Sequence, residues 1–174
     1  MQRRKLEELN LMDDFLFNAM LTHPETGEKF THTILKLLFN RDFKNLKAIA
    51  AFPKRSRFYH AIIDSRSLKS GEDFGKLKQV YVIFICNYDL FGYDRVWYTI
   101  KNRCLEETEM DYEDGAVTLV LYTRGTKGKI SEELRQFLNY MENTDQNNAV
   151  NDELKSIQRM VDAVKRDGEV SLRY

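Results

Sequence analysis

Apolar positions recur at helical spacing toward both ends of this chain and crowd into strand-like runs in its middle. Leu11, Phe15 and Ala19 predict a short helix over residues 11–20. Thr22 and Glu25 stand at capping-box spacing, and Pro24 suits a first helical turn. They predict a second helix reaching about Phe39, with Phe30, Ile34, Leu37 and Leu38 as its apolar stripe. Residues 41–52 carry an ambiguous pattern with room for one short expected strand, "LKAIAAF". Pro53 permits a helix start, and Phe58, Ala61, Ile62, Ser65 and Leu68 continue at helical spacing to a stop near Gly71. On this spacing Phe58 and Ile62 face the core.

"VYVIFIC" (80–86) is continuously apolar and rich in β-branched and aromatic residues, which predicts a strand covered on both faces. "RVWYTIKN" (95–102) alternates, placing Val96, Tyr98 and Ile100 on one face. "AVTLVLY" (116–122) is a third strand, with Val117, Leu119 and Leu121 in register. Consecutive strands usually neighbour one another, so the three are expected side by side. Leu134, Phe137, Leu138 and Met141 form a helical stripe. Val150, Leu154, Ile157, Val161 and Val164 form a second, narrow one that stops at Gly168 and packs on the domain or on a partner helix. "TDQNN" (144–148) is the expected linker, dividing a domain over 1–142 from a helical extension over 143–174.

Composition adds an ordinary globular balance, 43% apolar and 31% charged. The 27 basic and 27 acidic residues cancel, which argues against coating nucleic acid by bulk charge. The charges are nonetheless segregated. Lys44, Lys47, Lys54, Arg55 and Arg57 form a basic stretch, whereas Glu106, Glu107, Glu109, Asp111, Glu113 and Asp114 make an acidic one. The first residues lack an apolar signal segment, and no apolar run approaches the roughly 20 residues needed to span a bilayer. A cytoplasmic protein without a membrane partner is expected.

Each candidate chemistry meets a structural counter-reading. "TRGTKGKIS" (123–131) occupies the place of a phosphate loop, but the pattern G-x-x-x-x-G-K-[ST] fails at Thr123 and Ile130. A basic, Gly-rich strand-to-helix turn is expected instead. His23, His32 and His60 show no i, i+4 zinc pairing. Cys86 and Cys104 form no CxxC pair, and Cys86 lies in an apolar run where burial makes a thiol inert. The acidic run lacks the spacing of a calcium loop and reads as a solvated connection. Asp13 and Asp14 suit a helix N-terminus. No catalytic or metal-ligating set is assigned. The candidate nucleic-acid-binding residues are Lys54, Arg55, Arg57 and Tyr59: Arg55 and Tyr59 lie one turn apart, with Arg66 further along, so cations and a stacking ring share a face. The counter-reading is a solvated helix face.

The run "PKRSRFYHAIIDSRSLKSGEDFGKLKQVYVIFICNYDLFGYDRVWYTIKNRC" resembles the PD-(D/E)XK nuclease family transposases, also called Rpn-type recombination-promoting nucleases. "LNLMDDFLFNAM" is similar to the family's opening, and "DGAVTLVLYTRGTKGKISEELRQFLNYM" to its later strand, turn and helix. The resemblance covers most of residues 9–142. It implies an α/β, restriction-endonuclease-like core and Mg²⁺-dependent DNA cleavage tied to mobile-element recombination. Intact relatives place an Asp on one strand and a Glu-x-Lys or Glu-x-Gln on the next, just before the Pro53 helix. Here residues 41–52 hold a single acid, Asp42, and the Asp-strand and Glu-x-Lys-strand pair is missing.

The expectation is therefore an α/β protein with a truncated mixed sheet of three to four strands, an emptied catalytic site, no cofactor of its own and weak residual DNA binding. Asp14 is the acid that family position brings nearest. The alternative is a non-enzymatic interaction module that dimerises through the C-terminal helix or an exposed sheet edge.

Overall fold

The computed structural model describes residues 5–39 and 56–173. Among the described residues the chain is a mixed α/β protein with six α-helices and one three-stranded sheet. The helices are α1 (Asp14–Thr22), α2 (Gly27–Phe39), α3 (Ser56–Ser67), α4 (Glu132–Glu142), α5 (Asp152–Arg166) and α6 (Gly168–Arg173). The strands are β1 (Val80–Cys86), β2 (Trp97–Ile100) and β3 (Ala116–Tyr122), in the spatial order β1-β3-β2. β1 runs parallel to β3, pairing Ile83 with Leu119, and β2 runs antiparallel, pairing Trp97 with Leu121. The three strands do lie side by side in one sheet, but out of sequence order: β3 inserts between β1 and β2.

That order decides burial. β3, in the centre, has Val117 through Leu121 all buried, including Thr118. β1, the more apolar run, instead alternates: Val82, Phe84 and Cys86 are buried, while Ile83 and Ile85 are half-buried. A strand flanked on both edges sits deepest in the fold, whatever its mean apolarity. β2 also departs from expectation. Val96 joins the large core, Tyr98 packs on the opposite face and Ile100 is 43% exposed.

The two faces of the sheet carry unequal layers. Ile83, Ile85 and Leu121 point into a large core built with α1, α2, α4 and α5. Val82, Phe84, Cys86 and Val120 point the other way, where Tyr59 of α3 covers them. In α1 the fully buried residues are Leu16 and Met20, one position beyond the predicted stripe, so Phe15 and Ala19 are only half-buried. The expected capping box does not form. The Thr22 hydroxyl donates to the Asn18 carbonyl (2.8 Å), and α2 begins later, where the Gly27 N–H reaches the His23 carbonyl (2.9 Å). A Cβ on Gly27 would lie 2.5 Å from the Leu21 carbonyl oxygen, so glycine permits this close turn between helices. Phe30, Ile34 and Leu38 of α2 are buried as the spacing predicts.

The C-terminal helices begin at side-chain caps. Ser131 accepts from the Leu134 N–H (3.1 Å) and Asn151 from the Leu154 N–H (2.9 Å). α5 follows the macrodipole, with Asp152 and Glu153 in its first turn and Lys165 and Arg166 in its last. Its stripe of Leu154, Ile157, Val161 and Val164 is buried in the same core as α1, α2 and α4. The apolar stripe proposed for dimerisation is thus covered within the chain; Val150, expected to start it, precedes the helix and is 57% exposed.

The "TDQNN" segment is a structured turn. Thr144 is buried, accepts from the Leu11 N–H (2.9 Å) and donates its own N–H to Asn10 Oδ1 (2.9 Å). Lys165 Nζ donates to the carbonyls of Glu7 (2.9 Å) and Leu9 (2.7 Å). These bonds seat Leu6, Leu9 and Leu11 in the core. No helix among the described residues is long and apolar enough to cross a membrane.

Candidate nucleic-acid interface

α3 lies on the β1 side of the sheet with an unusually polar inner face. Ser56 Oγ meets Thr118 Oγ1 at 2.5 Å, and His60 Nε2 lies 3.3 Å from the same hydroxyl. Ser56 and His60 are one turn apart, so a single hydroxyl on β3 serves both. Burial pushes the His60 imidazole below its ordinary value, against the opposing pull of Asp64 and Asp114. Its Nδ1 is buried without a hydrogen-bond partner among the described residues. Beside this cluster Tyr59 packs on Val82, Phe84 and Val120.

Because those residues turn inward, the outward face of α3 is Arg57, Phe58, Ala61, Ser65 and Arg66, all exposed. Phe58 is 62% exposed, with its ring centroid 6.1 Å from that of Tyr59. No ion pair joins Arg57 or Arg66 to an acid among the described residues. Of the four residues expected to bind nucleic acid, Lys54 and Arg55 lie outside the described residues, as do Asp42 and the 41–52 strand. Arg57 is exposed on α3, whereas Tyr59 is half-buried against the sheet and Phe58 is the exposed ring. The predicted stripe put Phe58 inside, but Thr118 on β3 selects Ser56 and His60 as inner neighbours and rotates the helix accordingly. The signal available in the sequence was Thr118 interrupting the apolar run of β3, together with Ser56 and His60 at i, i+4.

The negative pole lies on the connection from β2 to β3. Its acids are exposed, and Lys101 pairs with Glu113 at 2.7 Å. The Asn102 side chain (2.7 Å) and the Ala116 N–H (2.9 Å) hold the Asp114 carboxyl below its usual range. The segment is a solvated loop, as its spacing predicts.

The Gly-rich turn after β3 does not form a phosphate cradle. The N–H groups of Thr126 and Lys127 both donate to the Asp94 carbonyl, at 3.2 and 2.9 Å. Gly125 passes so close to the next loop that a Cβ would sit 2.5 Å from Val96 N. The turn's amides therefore clamp the 94–96 backbone.

The Mg²⁺ implied by the family resemblance would need several oxygen donors brought together. No group of three or more His, Cys, Asp or Glu among the described residues could hold a metal ion. Asp14 is exposed in the first turn of α1, a helix that packs on α2 and α5, whereas α3 packs on β1. The histidines engage separate partners: His23 meets Asp167 at 3.3 Å, His32 meets Glu28 at 3.8 Å, and His60 meets Thr118. Burial pushes the Cys86 thiol up, and Cys104 donates to Glu106 Oε2 (3.3 Å), so no thiol–histidine pair forms among the described residues.

No family model, curated protein or solved structure matches the chain.

Proposed function

We propose that this chain is a DNA-binding protein related to the PD-(D/E)XK nuclease family transposases, built on a restriction-endonuclease-like core that has lost its catalytic strands. The observation that carries this reading is the outer face of α3, where Arg57, Phe58 and Arg66 are all exposed and neither arginine makes an ion pair among the described residues. Cations contact phosphates, and an exposed ring packs against sugars or bases. The resemblance over residues 9–142 supplies the family, and the basic stretch Lys54-Arg55 leads directly into this face. Asp42 is the single acid between Asn40 and Pro53, so Mg²⁺, which takes several oxygen ligands in octahedral geometry, lacks a seat there. The proposed activity is binding without cleavage.

Fluorescence anisotropy with a labelled duplex tests the binding. Affinity is expected to fall with salt, and the Arg57→Ala variant should flatten the log–log salt slope by about one, since one phosphate contact is lost. Phe58→Ala should weaken binding at every salt concentration. Unchanged affinity in both variants would remove α3 as the interface. A plasmid-nicking assay with Mg²⁺ tests the second half of the proposal. No nicking is expected; nicking that survives the Asp14→Asn, Asp42→Asn double variant would reveal a catalytic centre elsewhere.

A further inference from the structure

A second surface lies along the edge of β2 that no strand among the described residues pairs. There a cleft of about 370 Å³ is lined by Phe91, Tyr93, Arg95, Trp97, Tyr98 and Ile100. Its rings differ in freedom. The Tyr98 hydroxyl donates to Asp89 Oδ1 (3.2 Å) and accepts from the Arg95 N–H (3.2 Å), so the ring is fixed. Phe91 meets it edge-on at 4.8 Å between centroids. Tyr93 is 68% exposed, a ring open to an incoming partner.

Arg95 borders these rings, and two further exposed cations, Lys127 and Lys129, follow on the adjoining Gly-rich turn. Arg95 lies in the cleft wall, and its backbone bridges to Lys127 of the Gly-rich turn, two residues before Lys129. None of the three makes an ion pair among the described residues. The neighbouring carboxylates are engaged locally. Asp89 accepts from the Phe91, Gly92 and Asp94 N–H groups, and Asp94 accepts from the Thr126 N–H and hydroxyl. The edge thus offers stacking faces together with positive charge that makes no ion pair among the described residues.

We propose that this cleft binds single-stranded nucleic acid, with bases stacking on Tyr93 and Phe91 and phosphates meeting Arg95, Lys127 and Lys129. Unstacked bases present faces to protein rings that a duplex keeps covered. The cations select a polyanion over an apolar peptide, and a second copy of the chain paired at this edge would bring two sets of the same cations together. The site gives the Gly-rich turn a role that its blocked amides deny it as a phosphate loop.

Trp97 is the chain's single tryptophan and lines the cleft, so its fluorescence reports occupancy directly. Oligothymidylate and oligouridylate of about 15 nucleotides, together with a duplex of equal length, are titrated into the full chain at low salt. Quenching of Trp97 by the single strands at lower concentrations than by the duplex is the expected result, and the comparison of thymidylate with uridylate distinguishes DNA from RNA. Tyr93→Ala should weaken single-strand binding about tenfold, with recovery in Tyr93→Phe, because stacking needs the ring and not the hydroxyl. Trp97 lies in the cleft and not on α3, so its quenching keeps the outcome separate from that of the α3 proposal. Three results would overturn the inference: no quenching of Trp97 by either strand, quenching by the duplex at lower concentrations than by the single strands, or a concentration-dependent dimer that Tyr93→Ala dissolves, which would assign the edge to a second copy.

Discussion

At the scale of single residues, the polar contact between α3 and the sheet governs both packing and pH response. His60 is held below its ordinary value mainly by burial, with Asp64 on its own helix and Asp114 before β3 pulling the other way. The unfolded chain therefore binds more protons than the folded one as pH falls through the ordinary histidine range. The stability this neutral His60 confers is present above about pH 6.5 and is lost as pH drops toward the folded-state value. Urea unfolding at successive pH values should show this acid-side decline, and His60→Gln should make it shallower; an identical decline in the variant would show that other groups cause it. The thiols give a second residue-level test. Cys86 is buried with its ionisation disfavoured, whereas Cys104 is half-buried on a loop. Iodoacetamide should label Cys104 well before Cys86 when followed by peptide mass spectrometry.

At the scale of elements, close backbone approaches and caps set the cost of change. A methyl on Gly125 would meet Val96 backbone atoms at 2.5 and 2.6 Å. Gly125→Ala should therefore lower stability by about 2 kcal/mol or more, read as a fall in Tm, because backbone rather than a movable side chain must give way. Ser131→Ala removes the acceptor for the Leu134 N–H and should cost about 1 kcal/mol in urea unfolding.

The elements also show how far local pattern reaches. The α4 stripe of Leu134, Phe137, Leu138 and Met141 is buried as its spacing predicts, because a strong helical period has only one apolar face. α3 lacks that strength. Its Phe58, Ala61 and Ile62 compete with Ser56, Tyr59 and His60 for the inner face, and the winner is chosen by Thr118, which is 62 residues from Ser56 in sequence. The candidate site was legible in Arg57 and illegible in its ring for this reason. Strand order was hidden similarly. Nothing local to "VYVIFIC" reveals that β3 will take its edge, since a parallel pairing is written only in the connection between the strands.

At the scale of the whole molecule, the sheet separates two environments that the cancelled net charge conceals. The large core on one face joins α1, α2, α4 and α5, while the thin layer of α3 covers the other. Substitutions in the large core should be the more damaging. Phe137→Ala, at a fully buried position, is expected to cost about 3–5 kcal/mol, whereas Phe58→Ala, on the exposed face, should stay within about 0.5 kcal/mol in the same unfolding assay. That contrast also makes Phe58→Ala a clean probe of binding, since loss of affinity there will not reflect loss of fold.

The bonds from Thr144 and Lys165 to the backbone of Leu11, Glu7 and Leu9 span 133 to 158 residues. During synthesis, then, the leading segment must wait for almost the entire polypeptide to emerge before its leucines find their seat. Until α5 arrives, the first two helices present an oily, uncovered flank to the ribosome exit and to chaperones, so a nascent chain stalled before that point is the form of this protein most prone to clump.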